Sequence, residues 1–382
     1  MNSFPSTTPK GGAVIWLVLL TGLAARFWVA TCGHNFDFDS YRIVADLMSQ
    51  GKNVYASTDR YCYGPGWFTV IHLLDALAGH RADIFRWLLI GFLSAADVAI
   101  ALMLWRQFGL LAAAFFFLNP VSIIITGYHN QFDNVAICLG LLAVIRFGDD
   151  FEKPLSGRKW SALLLLGLSL TTKHVFFMFP FWLAVKQRGL LQKCLIVAVP
   201  TVIFLASFLP YWSVGHAGII QNVFLYRSGT DGYLYTNLMP VGVQAVFSSR
   251  TLWLLALAFF AFVCREKNGV RSLLLYTGVL VALTPTIASQ YFVIPLALLA
   301  VNFNALSILY TAIITAALAI GELGWLLKDS PLAARDGEIV GQFSWALYAL
   351  LWAVIWIVWR EKIVASFQWC VTEVNHQLGI EK

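Results

Sequence analysis

Two carboxylates one residue apart, Asp37 and Asp39, stand in the stretch His34-Asn35-Phe36-Asp37-Phe38-Asp39-Ser40-Tyr41-Arg42, directly after the first apolar run. Carboxylates so placed serve as a general base or as hard oxygen ligands for a divalent cation such as Mg2+ or Mn2+. The plainer reading is that either one caps a helix beginning near Ser40. An amphipathic stretch follows over Ile43 to Gln50, and the loop closes on Arg60-Tyr61-Cys62-Tyr63-Gly64-Pro65-Gly66-Trp67.

A second group begins at Asn119-Pro120 and continues in Thr126-Gly127-Tyr128-His129-Asn130-Gln131-Phe132-Asp133-Asn134. Polar residues in series between two apolar runs are expensive in hydrocarbon and mark a site or a water-lined cavity. The alternative is an ordinary hydrated turn rich in Asn and Asp. Lys173-His174 interrupts two short apolar runs, either as a partner for an anion or as a pair snorkelling to the interface. Arg227 sits among aromatics and glycines, where it clamps a phosphate or pairs with Asp231. Thr284-Pro285 to Gln290-Tyr291 breaks another helical region and reads equally as a Pro-kinked connection.

The elements that must hold these groups follow from composition. Of 382 residues, 59% are hydrophobic and 12% charged, with a mean hydropathy of +0.73. Soluble domains carry about twice that charge, and disorder requires the opposite balance. The chain is therefore expected to form an all-α polytopic transmembrane bundle of about ten to thirteen membrane helices, some short or re-entrant. It forms a single membrane domain over 1–382, with outer loops at 32–65 and 213–239. The first run, 12–31, follows only Lys10 and reads as a retained helix rather than a cleaved signal. Clusters at Arg146/Lys153/Arg158/Lys159, Lys186/Arg188/Lys193, Arg265/Lys267/Arg271 and Arg360/Lys362 mark cytoplasmic loops. The net charge of +6 thus resides in loops, which excludes a nucleic-acid partner.

Between the first outer loop and the 146–159 loop lie four apolar runs, 66–79, 87–105, 108–127 and 135–147, where an odd number of crossings is required. One of them must be re-entrant or merged with its neighbour. Asp97, inside an apolar run, calls for a cationic partner such as Arg106 or Arg26. The six cysteines show no metal-binding spacing. Cys32 and Cys62 share the first outer loop, where a disulfide is one outcome and two free thiols the other.

The acidic pair of the first outer loop, the Arg60-to-Pro65 element and the Asn119-Pro120 segment leading to His129–Asn134 resemble, in that order, the GT-C superfamily of polytopic glycosyltransferases. The order is similar to the dolichyl-phosphate-glucose-dependent glucosyltransferases and the first mannosyltransferase of GPI-anchor assembly, with bacterial relatives. It departs from them at Ser40, between Asp39 and Tyr41, and at Gly66, departures that bear on the substrate. The resemblance implies transfer of one sugar, a hexose or pentose, from a polyprenyl-phosphate donor to a glycan, lipid or protein acceptor, inverting if the displacement is single. It implies an outer-loop Asp as base, Asp39 first and Asp37 second. Donor contacts would come from Arg60, Tyr61, Tyr63, His129, Asn130, Gln131, Asp133, Lys173, His174, Arg227, Gln290 and Tyr291. No cofactor is implied with certainty, and a divalent cation on Asp37, Asp39 or Asp133 stays open. The lack of an Asn-x-Ser/Thr sequon and the short loops lean towards a bacterial inner membrane. The competing reading is a transporter or flippase of a lipid-linked or small polar solute. That would concentrate polar groups near mid-membrane on paired broken helices; here they fall at helix ends. A chemistry-free scaffold leaves the clustered Asp, His, Asn and Gln unexplained.

Overall fold

A computed structural model describes residues 12–226, 230–231, 240–321 and 345–360. The apolar runs fold as helices, because in hydrocarbon the backbone must satisfy its own hydrogen bonds. The first helix, α1 (Gly12–Thr31), turns Ile15, Leu19 and Arg26 inward and leaves Trp16, Leu17 and Leu20 exposed. The loop that follows carries α2 (Phe36–Ser49) and leads into α3 (Pro65–Leu77). Then come α4 (Ala82–Phe108), α5 (Leu110–Phe117), α6 (Pro120–Ile124), α7 (Asp133–Phe147) and α8 (Gly157–Thr172). The chain continues through α9 (Phe179–Ala184), α10 (Leu190–Ser207), α11 (Leu209–Gly218), α12 (Ser249–Val263) and α13 (Gly269–Ala282). The last described helices are α14 (Leu296–Val301), α15 (Ala305–Gly321) and α16 (Trp345–Arg360). The sole pairing of strands among the described residues joins Thr230–Asp231 antiparallel to Thr286–Ile287.

Among the described residues, three helices, α1, α4 and α10, are each long and apolar enough to cross a membrane. A fourth span is broken: Leu110–Phe117 and Pro120–His129 meet at a 47° bend, where Pro120 cannot continue the hydrogen-bond ladder of the preceding helix. Side-chain ties give the directions. Arg86 donates to the Ala30 carbonyl (2.7 Å) and Arg26 to Asp97 (2.9 Å), so α1 and α4 run antiparallel. Arg26 also donates to the Phe117 carbonyl, and Asn35 N–H to the Tyr128 carbonyl. The broken span α5–α6 therefore returns to the end that carries α2. There the chain turns, and α7 runs away again. In direction, α4, α5–α6 and α7 thus run alternately away from, towards and away from the end that carries α2.

The run left over is α3. At 13 residues it spans about 20 Å, short of the ~30 Å hydrocarbon core. It starts against the C-terminal end of α8 and finishes where Asp75 meets Arg42 of α2, so both ends lie at the α2 end of the bundle. Asp97 takes Arg26 rather than Arg106 as its partner.

Packing divides into two cores. The larger runs through the spans, from Ile15 and Phe117 to Tyr276 and Leu350. The smaller is aromatic and fastens the 32–65 loop onto the bundle, through Phe38, Tyr41, Tyr55, Tyr61, Trp67, Phe68, Phe85 and Phe132. Within it the Trp67 and Phe132 rings stack at 3.9 Å, 9° from parallel. Cys32 and Cys62 are free thiols, so the disulfide is not formed; the loop is held by this aromatic packing instead. Residues 213–226, expected to open a loop, are largely helical, in α11 and a π-helical extension over Ile219–Phe224.

Candidate functional site

The site is assembled from the first turn of α2, the turn between α6 and α7, and the break after α8. Asn35, rather than either aspartate, caps α2: its side chain accepts from Asp37 N–H (3.1 Å). Helix formation thus begins at Phe36, and Asp37 and Asp39 both fall in the first turn, where the helix dipole favours negative charge. They point apart. Asp37 is half-buried, whereas Asp39 is exposed and makes no hydrogen bond or ion pair with a described residue. Arg60 braces the same turn, donating to Ser40 Oγ (2.9 Å) and lying over the Phe36 ring.

Opposite α2, α6 loosens into a π-helical turn over Ile125–His129, ending on Asn130 in the left-handed region at φ 58°. Asn tolerates that conformation better than most residues, and its side chain donates to the Thr126 and Gly127 carbonyls. Gly127 is required by proximity: a Cβ there would stand 2.5 Å from the Arg26 carbonyl oxygen. Beyond the wide turn, Gln131 meets Asp37 of α2, Phe132 stacks on Trp67 and Asp133 meets Lys173.

The third contribution is the extended Lys173 at the end of α8. The Arg60–Pro65 element lies directly on this end, since a Cβ on Gly64 would come within 2.1 Å of the Thr171 carbonyl oxygen. Lys173 reaches Asp133 Oδ2 at 2.6 Å and Gln131 Oε1 at 3.4 Å. Its ammonium sits 5.1 Å from the Tyr63 ring centre and 4.8 Å from that of Phe132. Gln131 in turn donates to Asp37 Oδ2 at 2.6 Å, and His129 Nδ1 lies 3.9 Å from the same oxygen. The result is a continuous polar chain, Asp37–Gln131–Lys173–Asp133, open at Asp37 and sealed at Asp133. Asp133 Oδ1 and Asn130 Oδ1 are buried without a hydrogen-bond partner among the described residues.

The remaining candidates divide. Tyr63, His129, Asn130, Gln131, Asp133 and Lys173 come together with Asp37. Tyr61 is committed to the turn, donating to the Gly64 carbonyl and accepting from Phe68 N–H. His174 is turned towards Phe204. Gln290 and Tyr291 lie in a 3-10 turn over Ser289–Val293 that packs beside the π-helical turn and α7. Arg227 lies outside the described residues. Burial pushes the Cys62 thiol, beside Tyr63 in the 32–65 loop, up to about 11. No group of three or more His, Cys, Asp or Glu side chains suited to a metal ion occurs among the described residues.

Reading the residues in order missed Asn35 as the cap and the Asn35–Tyr128 backbone tie, and it left Arg86, a charge beside an apolar run, without its partners, the Ala30 and Gly33 carbonyls. An Asn just ahead of two first-turn acids is a recognisable helix-start signal. Nothing local announces the other two, because they join segments far apart in the chain.

Among solved structures, the chain is similar to ArnT from Cupriavidus metallidurans. The likeness to its apo crystal structure has a TM-score of 0.50 at 14% identity, over 91% of this chain and 77% of that one. The likeness to the crystal structure bound to undecaprenyl phosphate has the same score and identity, over 92% and 78%. The chain has the GT-C fold. No protein-family model and no curated protein sequence matches it. Within this fold, the candidate cluster lies where the 32–65 loop seals the ends of α6, α7 and α8.

Proposed function

We propose that the protein is an integral-membrane glycosyltransferase that moves one sugar, a hexose or a pentose, from a polyprenyl-phosphate donor to an acceptor hydroxyl, with Asp37 as general base. The observation that carries this reading is the convergence of Asp37, Gln131 and the Lys173–Asp133 pair from three separate elements at one end of the bundle. The overall likeness to ArnT, one structure of which holds undecaprenyl phosphate, supports a donor of that class. The acceptor is a glycan, lipid or protein hydroxyl. Basic loops at the opposite end favour an outward-facing site, in a bacterial inner membrane.

The acceptor oxygen attacks the anomeric carbon while its proton passes to Asp37. The bond from that carbon to the phosphate oxygen breaks, and the electron pair leaves with the phosphate. A single displacement inverts the anomeric centre. Gln131 holds Asp37 Oδ2, which directs Oδ1 towards the hydroxyl. The leaving phosphate gathers charge and needs cationic donors; Arg60 at the rim and Arg227 are the candidates. Lys173 is neutralised by Asp133, so its role is to orient Gln131. Its ammonium also occupies the position in which a divalent cation would compete for Asp133.

The test is transfer from radiolabelled polyprenyl-phosphate sugars by the purified, reconstituted protein. Asp37→Asn is expected to lower turnover by about 10²- to 10⁴-fold, the usual contribution of a positioned base, with donor binding retained. Asp39→Asn should leave turnover close to wild type. The reverse pattern would return the base to Asp39. No transfer from any donor, together with movement of a lipid-linked solute across the bilayer, would establish the transporter instead.

A further inference from the structure

A second polar concavity lies at the end of the bundle opposite the candidate site. It is a cavity of about 120 Å³ bounded by the end of α4, the start of α13, the end of α14 and the end of α16. Three cationic residues from two elements line it, Lys267 and Arg271 beside α13 and Arg360 at the last turn of α16, together with Asn302. Its inner wall is apolar, built from Leu275, Leu298 and Ile357.

No described carboxylate lines this cavity. The nearby acids are engaged elsewhere: Glu266 pairs with Arg265, and Asp149 Oδ1 accepts from Gly269 N–H at 2.8 Å. Arg271 and Arg360 make no side-chain hydrogen bond or ion pair with a described residue. Two guanidinium groups, Arg271 and Arg360, that converge without a described counter-charge repel one another, and an anion relieves that repulsion. Both arginines present planar donor forks suited to phosphate. The depth is that of headgroups, since Phe108 is the last residue of the apolar helix α4, and half-buried Ile357 on α16 adds an apolar side to the cavity.

We propose that this cavity binds the phosphate of an anionic phospholipid from the leaflet on the side of the basic loops, gripped by Arg271 and Arg360. Charge complementarity selects an anionic over a zwitterionic headgroup, and the apolar wall selects a lipid over a free phosphate ion. Such pockets between membrane helices are a recurrent mode of lipid recognition. The site is independent of sugar transfer: it lies on other elements and shares no residue with the Asp37 cluster.

The test uses the full-length protein in detergent, titrated with phosphatidylglycerol, phosphatidylcholine or inorganic phosphate and followed by native mass spectrometry. Wild type is expected to hold phosphatidylglycerol several-fold more tightly than phosphatidylcholine. Arg271→Gln/Arg360→Gln should weaken phosphatidylglycerol by about 30-fold, and Arg360→Gln alone by about 5-fold, from the usual contribution of one basic residue to an anionic headgroup. Arg188→Gln, on the exposed loop before α10, should leave binding unchanged. The lipid-free thermal transition of Arg360→Gln should match wild type, so a folding defect in the double variant would not mask the result. Unchanged phosphatidylglycerol binding in Arg360→Gln and the double variant would overturn the site. Inorganic phosphate binding as tightly as the lipid would overturn the lipid as its occupant.

Discussion

At the scale of single residues, the chemistry depends on which way a side chain leaves its helix. Asp37 and Asp39 are two positions apart in a helix and therefore roughly 200° apart around its axis. One reaches Gln131; the other faces out. No pattern of residue types separates them, because both satisfy the same first-turn preference for acid. Cys62 allows an independent check on the burial of the loop. Its thiol is pushed up by burial from an ordinary value near 9 to about 11. The thiolate is the reactive form, so maleimide labelling of a variant retaining only Cys62 should be about a hundred-fold slower at pH 7 than for a free thiol. The rate should keep rising with pH through 9 and 10. A plateau below pH 9 would contradict the packing of Cys62 beside Tyr63.

At the scale of elements, the site depends on where α2 starts and how the turn after α6 opens. Asn35→Ala removes the cap and should destabilise the first turn of α2 by about 1 kcal/mol. Because that turn carries Asp37, turnover should fall further than thermal stability does. Equal turnover in a destabilised Asn35→Ala variant would detach the cap from catalysis. Gly127 is a sharper case. A valine there cannot fit 2.5 Å from the Arg26 carbonyl oxygen without moving α1 or the π-helical turn. Gly127→Val is therefore expected to yield little folded protein, measured by monodisperse recovery from detergent. Recovery at wild-type level would mean that the turn has more room than its geometry gives it. The irregular elements are also where sequence patterning says least. Period-3.6 apolarity locates α1 and α4, but a π-helical turn leaves no periodic mark, and α3 is as apolar as a span while being too short for one.

At the scale of the whole molecule, one buried pair ties together elements that are distant in the chain. Arg26 on α1 donates to Asp97 on α4, to the Gly22 and Phe117 carbonyls and to Ser122 Oγ. Asp97 also accepts from Thr126 Oγ1 (2.7 Å) and Asn134 Nδ2 (2.6 Å). The network thereby holds the π-helical turn against α1. Arg26→Met strands Asp97 in an apolar interior and should cost about 3–5 kcal/mol, the usual result of breaking a buried pair. Arg26→Met/Asp97→Leu should recover a large part of that loss. The check is a double-mutant cycle on thermal unfolding in detergent, with additive losses counting against the pairing.

What the amino-acid order determined alone is the solvent, the class of fold and the zones of chemistry. A chain with 59% hydrophobic and 12% charged residues has only a bilayer in which to bury itself. Asp, Asn, Gln, His and Lys at helix ends then stand out because hydrocarbon penalises each of them. Both signals are local and sum along the chain. The tertiary structure alone decided which of two aspartates meets Gln131, that Lys173 pairs with Asp133 40 positions away, that Arg26 rather than Arg106 neutralises Asp97, and that α3 remains at one end. Each of these is a choice between partners of equal chemical type. Such choices depend on the direction of side chains and the packing of distant helices, and neither leaves a trace in local composition.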